Sequence, residues 1–98
     1  MRVVVIVHCD QTRKPEDFAP ILEPQSQYAL TLFAEEKIRE IYSLADDKGA
    51  LLIVEANNVE EARQAVESSP MAKAGLMSVE VYGLKPYRGF TQHLKTKS

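Results

Sequence analysis

RVVVIVHC, residues 2–9, carries β-branched residues at both odd and even positions. A strand of that kind has to be covered on both faces, which places it inside a sheet rather than at its edge. ALLIVE at 50–55 has the same character and makes the same demand. Two interior strands need two outer ones. KIREIYSL at 37–44 alternates imperfectly and MSVEVYGL at 77–84 alternates cleanly. Each reads as an edge strand with one wet face.

The segments between these strands read as helices. Pro15 followed by Glu16 and Asp17 suits a helix start, since proline fits the first turn and carboxylates favour the positive end of the helix dipole. Phe18, Ile21 and Leu22 fall on one face. Pro20 and Pro24 predict a bend or two short pieces before Tyr28, Leu32 and Phe33 resume the helical spacing. Asp46, Asp47, Lys48 and Gly49 form a turn, with Gly49 expected to take the positive φ. Asn57 or Asn58 caps a second helix that has Glu60 and Glu61 in its first turn. Val59, Ala62, Ala65 and Val66 form its inner face, and Pro70 is expected to close it. The order is β, α, β, β, α, β. Doubly apolar first and third strands fit the split βαβ arrangement, an α+β ferredoxin-like antiparallel sheet of order 4-1-3-2. Both helices then cover one face. Val4, Ile6, Leu51 and Ile53 are left on the other, and an uncovered apolar sheet predicts a partner, most simply a second copy in a homodimer.

Ninety-eight residues suffice for one core, so a single domain over 1–90 is expected, followed by a polar tail at 91–98. An apolar fraction of 45%, a net charge of -2 and a pI near 5.7 are ordinary for a globular chain and provide no basic field for nucleic acid or an anionic membrane. The single Cys9 has no disulfide partner in the chain and no second cysteine for a metal site, which suits a reducing, cytoplasmic compartment. The run Val3 to Val7 is too short for a secretory signal, and nowhere are there about 18 consecutive apolar residues. Neither metal nor cofactor is expected.

The stretch from Lys37 to Phe90, KIREIYSLADDKGALLIVEANNVEEARQAVESSPMAKAGLMSVEVYGLKPYRGF, resembles the muconolactone isomerase-like proteins of the dimeric α+β barrel superfamily. LLIVEA, the VEEA helix, the proline at its end and AGLMSVEVYGLKPYRGF carry the likeness. It implies a ferredoxin-like protomer whose sheet packs on a second protomer's, sometimes within larger rings. It also implies a cofactor-free proton shift that isomerises a small unsaturated lactone. AGLMSVEV is also similar to YCII-related proteins of the same superfamily, for which the resemblance implies a His and Asp site; His8 and Asp10 lie near that strand end.

From the residues themselves, His8 shares parity with Val4 and Ile6 and belongs on the open face. Its unperturbed pKa near neutrality suits general acid–base work. The expected neighbour is Glu80, which alternation places on the open face with Ser78 and Tyr82. Glu55 has the same parity as Leu51 and Ile53 but falls at the other end of the sheet, roughly 12 to 17 Å from His8 by strand rise. A structural role for Glu55 is a pairing with Arg39 or the N-terminal amine. The hairpin register is open: a four-residue turn puts Glu40, Tyr42 and Leu44 on that face, and a one-residue bulge puts Arg39, Ile41 and Ser43 there. One reading is a proton-transfer enzyme holding a small, partly apolar molecule between sheet and helices. In it His8 with Glu80 or Glu55 supplies acid and base, and Tyr42 or Tyr82 orients an oxygen. The other is a non-catalytic homo-oligomeric binding or assembly protein. A cofactor-free oxygenase has no support, because the chain lacks Trp and any aromatic and amide cluster. Cys9 reads as a small core residue. Tyr87 and Phe90, past the last strand, read as contacts to a partner protomer.

Overall fold

A computed structural model of the chain describes residues 1–93, so residues 94–98 of the expected tail lie outside the described residues. The strands are β1 (Arg2–Cys9), β2 (Ile38–Ser43), β3 (Gly49–Glu55) and β4 (Met77–Gly83); the helices are α1 (Pro15–Ala34), α2 (Val59–Glu67), α3 (Pro70–Lys73) and α4 (Arg88–His93). The sheet runs β2-β3-β1-β4 with every neighbouring pair antiparallel. The ferredoxin-like α+β architecture is as expected, with the two doubly apolar strands at its centre.

The odd positions of β1 face the helices. Val3 and Val5 are 0% exposed, and Val7, Leu52, Val54, Ala62 and Val66 join them in one buried cluster. Val4, Ile6, Leu51 and Ile53, on the opposite face, are only half-buried.

The register of β2 combines the two alternatives. Ile38 opposes Val54 and Glu40 opposes Ile53, so Arg39 is the extra residue of a bulge. The bulge lets Ile38, 2% exposed, and Ile41, three positions on, both lie on the helix side. Glu40 and Tyr42 then fall on the open face beside Ile53 and Leu51.

Three local expectations are corrected. First, α1 is one 20-residue helix and not two pieces, although Pro20 and Pro24 lie inside it. Being four apart and exposed, they occupy one solvent-facing stripe, where water can satisfy the carbonyls of Glu16 and Pro20 that lose their amide partners. Its start is reinforced by the Lys14 amide, which donates to the Asp17 carboxylate at 2.9 Å. Second, Pro70 opens a helix of its own. α2 ends at Glu67, and the buried Ser69 caps α3 by accepting from the Ala72 amide. Third, the positive φ of the β2–β3 turn falls on Asp47, at 60°, a residue type that tolerates it. Gly49 is required for another reason: a Cβ there would sit 1.9 Å from the Val7 carbonyl oxygen. Asn58 caps α2, accepting from the Glu61 amide at 2.8 Å.

Candidate functional site

Strand register assembles the open face. Opposite Ile6 stands Glu80, opposite Val4 stands Tyr82, and opposite His8 stands Ser78. His8 and Glu80 are therefore diagonal neighbours on one face, within reach of long side chains. They meet at 2.5 Å between Nε2 and Oε1. The second carboxylate oxygen of Glu80 accepts from the Tyr82 hydroxyl at 2.6 Å. The Tyr82 bond first, and the His8 bond second, hold the Glu80 carboxyl below its ordinary pKa. Near neutral pH Glu80 is thus an acceptor at both oxygens, so the Nε2–H of His8 donates to it. Nδ1, the other ring nitrogen, has no hydrogen-bond partner among the described residues. Sharing its proton with Glu80 pushes the Tyr82 phenol above its usual range.

The opposite edge repeats half of this arrangement. Tyr42 donates to Glu40 at 2.7 Å on β2, and its phenol is likewise raised by that carboxylate. No histidine accompanies that pair.

Glu55 opposes Arg2 at the far end of the sheet, six strand positions from His8. At ~3.3 Å per residue that is about 20 Å, more than the sequence reading allowed, because the strands pair from Gly49 at His8 down to Glu55 at Arg2. Its carboxylate accepts from the N-terminal amine at 2.8 Å, with Arg2 at 3.8 Å, and the amine is the main cause of its lowered pKa. Asp10 lines a shallow surface pocket with His8 and Ser78 but makes no hydrogen bond to the imidazole. It accepts from the Thr12 hydroxyl and amide, which lower its pKa, and pairs with Arg13 at 3.5 Å. Cys9 opposes Met77 at the strand end, and partial burial raises its pKa, away from the thiolate. Tyr87 and Phe90 are largely exposed and pack edge to face on each other at 4.9 Å.

A cavity of about 190 Å³ lies on the other side of the sheet, between α1 and the strands. Val7, Leu52 and Ile38 floor it, and Tyr28, Ala29 and Leu32 roof it. It holds no acid or base: its one ionisable group, the Tyr28 phenol, is committed to the Ala65 carbonyl at 2.6 Å. Sequence reasoning put acid–base residues and apolar pocket together between sheet and helices. In the structure they sit on opposite faces. Gln25, Ser26 and Ser69, which supply polar points of the cavity beside Tyr28, went unnoticed because none stands in a motif. Among the described residues no group of three or more His, Cys, Asp or Glu converges as metal ligands, and no helix is long and apolar enough to cross a membrane.

No family model matches the chain, and no curated protein does. Solved structures do. The chain is similar to muconolactone isomerase, with a TM-score of 0.73 at 16% identity over 99% of this chain and 98% of that one. It is also similar to the 5-chloro-2-hydroxyhydroquinone dehydrochlorinase TftG of Burkholderia phenoliruptrix AC1100, solved with 2,5-dihydroxybenzoquinone, with a TM-score of 0.59 at 24% identity over 85% and 93% of the two chains. The likeness to the first extends over residues 1–36 as well as the stretch whose sequence resembles it, so the chain shares the ferredoxin-like α+β fold of muconolactone isomerase along almost its whole length.

Proposed function

We propose that the chain is a cofactor-free proton-transfer catalyst acting on a small organic substrate, working as a homo-oligomer whose open sheet face is covered by a second copy in a reducing cytoplasm. The observation that carries this reading is the His8–Glu80 bond with Nδ1 left free. Glu80 fixes the tautomer and stabilises the imidazolium, and Tyr82 in turn holds Glu80. Nδ1 of His8 is then the base. In an isomerisation a substrate C–H bond breaks, its proton passes to Nδ1, and a proton returns from Nδ1 to another atom of the substrate, with solvent exchange open while the exposed imidazole holds it. Nothing is oxidised and no group leaves. Tyr42, on the other edge, is the candidate for orienting a substrate oxygen, whereas Glu55 is engaged by the N-terminal amine.

The fold neighbours suggest the probes. Muconolactone, incubated in deuterium oxide, would be followed by proton NMR for exchange and isomerisation. Removing a positioned base costs about 10²–10⁴-fold. His8→Ala is expected to lose that much, and turnover equal to wild type would exclude His8 from the chemistry.

One observation favours a second reading, non-catalytic small-molecule binding. The cavity beneath α1 is apolar, lacks a free titratable group and exceeds the ~150 Å³ cavity size known to hold benzene. If it is the ligand site, 2,5-dihydroxybenzoquinone or benzene would shift NMR signals of Leu52 and Ala29 in wild type and His8→Ala alike, with no turnover in either.

A further inference from the structure

The cavity beneath α1 is apolar except where α1 meets the start of α3, and there Gln25, Ser26 and Ser69 line it. Ser69 is 1% exposed, the one buried polar residue among those described. Its oxygen caps α3 by accepting from the Ala72 amide at 3.3 Å, while its own O–H meets no acceptor among the described residues. A cap needs only the oxygen, so the donor is surplus to that role. Gln25 presents a second one. Its side-chain oxygen accepts from the Met71 amide at 2.8 Å, which fixes the orientation of the amide and leaves its NH₂ group without a partner among the described residues. Ser26 is exposed, where water can satisfy it, and the Tyr28 hydroxyl hydrogen is spent on the Ala65 carbonyl.

A buried donor without an acceptor is unfavourable, so an acceptor oxygen entering this cavity gains at Ser69 and Gln25 together. Water can supply such an oxygen. Behind those donors, however, Val7, Leu32, Ile38, Leu52 and Val66 offer it nothing further, and they favour an oxygen that has hydrocarbon attached. Met71 and Met77 add a wall that adapts to the shape of what it meets. At about 190 Å³ the space exceeds the ~150 Å³ that takes benzene, which leaves room for a ring with a short substituent. No Lys, Arg, His, Asp or Glu lines it, so an ionised ligand would lose its hydration with no countercharge.

We infer that this cavity binds a neutral, single-ring ketone or aldehyde whose carbonyl oxygen accepts from the Ser69 hydroxyl and the Gln25 side-chain amide. The inference deepens the binding reading of the cavity and rests on it. It is independent of His8, which lies on the other face of the sheet.

The probes are acetophenone, ethylbenzene, which lacks the oxygen, and benzoate, which carries a charge. Binding is read from the methyl signals of the three methionines in carbon-13 NMR, because Met71 and Met77 line the cavity and Met1 does not. Acetophenone is expected to shift Met71 and Met77 but not Met1, with an affinity about ten-fold above that of ethylbenzene, and benzoate to leave all of them in place. Gln25→Glu keeps an oxygen for the Met71 amide and removes the donor. Above neutral pH it should bring acetophenone down toward ethylbenzene, and Ser69→Ala should do the same. Should Ser69→Ala fail to fold for want of its cap, Gln25→Glu alone decides. Equal affinities for acetophenone and ethylbenzene in wild type, or tighter binding of benzoate, would overturn the inference while leaving the cavity a binding site. If none of the probes moved Met71 or Met77, the binding reading would fall with it.

Discussion

The two faces of this sheet are made from neighbouring residues of the same strands, yet they serve opposite ends. On the helix side Val3, Val5, Leu52 and Val54 are buried within one chain, and the cavity lined by Leu52 and Val7 contains no free acid or base. On the open side Val4, Ile6, Leu51 and Ile53 stay half-buried, and histidine, glutamates and tyrosines flank them. Apolar burial on one face supplies the stability that leaves the other free for polar chemistry. A chain this small has few other sources of it.

Adjacent leucines give the most direct way to break that contrast. Leu52→Ala removes a buried side chain and should cost about 2–5 kcal/mol in urea unfolding, toward the lower end because the cavity beside it already relieves packing. Leu51→Ala, one residue away, should change the unfolding of the isolated protomer far less and instead weaken self-association in sedimentation. Equal effects from the pair would mean the faces are not distinct. Ile6→Lys sharpens the same point: a charge in the aliphatic stripe is expected to yield a folded monomer, with the helix-side core intact by circular dichroism.

The helix layer is itself uneven. α1 has no fully buried residue, and it is tied down by the Tyr28 hydroxyl on Ala65 and by Gln25, whose side-chain oxygen accepts from the Met71 amide at 2.8 Å. Tyr28→Phe leaves a partly buried carbonyl unpaired and should cost about 1–3 kcal/mol, read as a lower denaturation midpoint. The loss should appear first as faster amide exchange in α1, with β1 and β3 unchanged.

Legibility in the sequence followed the same division. RVVVIVHC and ALLIVE disclose the sheet centre because burial on two faces leaves no polar parity. The His8–Glu80 couple was legible as adjacency, since alternation alone puts both on the open face. The bulge at Arg39 was not, because one extra residue changes no composition and is decided by whether Ile38 and Ile41 can both reach the core. The continuity of α1 was hidden for a related reason. A proline's penalty depends on whether the carbonyl it frees can reach water, and only the packing shows that Pro20 and Pro24 face outward. The cavity owes its shape to the angle of α1 over the sheet, which no local pattern encodes.

The smallest expected effect is a pH shift on the open face. Glu80 has a lowered pKa in the folded chain, chiefly through Tyr82 and then through His8. A depressed carboxylate contributes stability that is present above its unfolded value, about 4.3, and lost as pH falls through the lower folded value. Exposure keeps that contribution slight. Tyr82→Phe removes the leading cause, so the carboxyl titration of Glu80, followed by carbon-13 NMR, should move up toward the ordinary glutamate range. His8→Ala should move it in the same direction by less. The edge on β2 supplies the control, because Glu40→Gln should bring the Tyr42 phenol back down without moving Glu80, two intervening strands away.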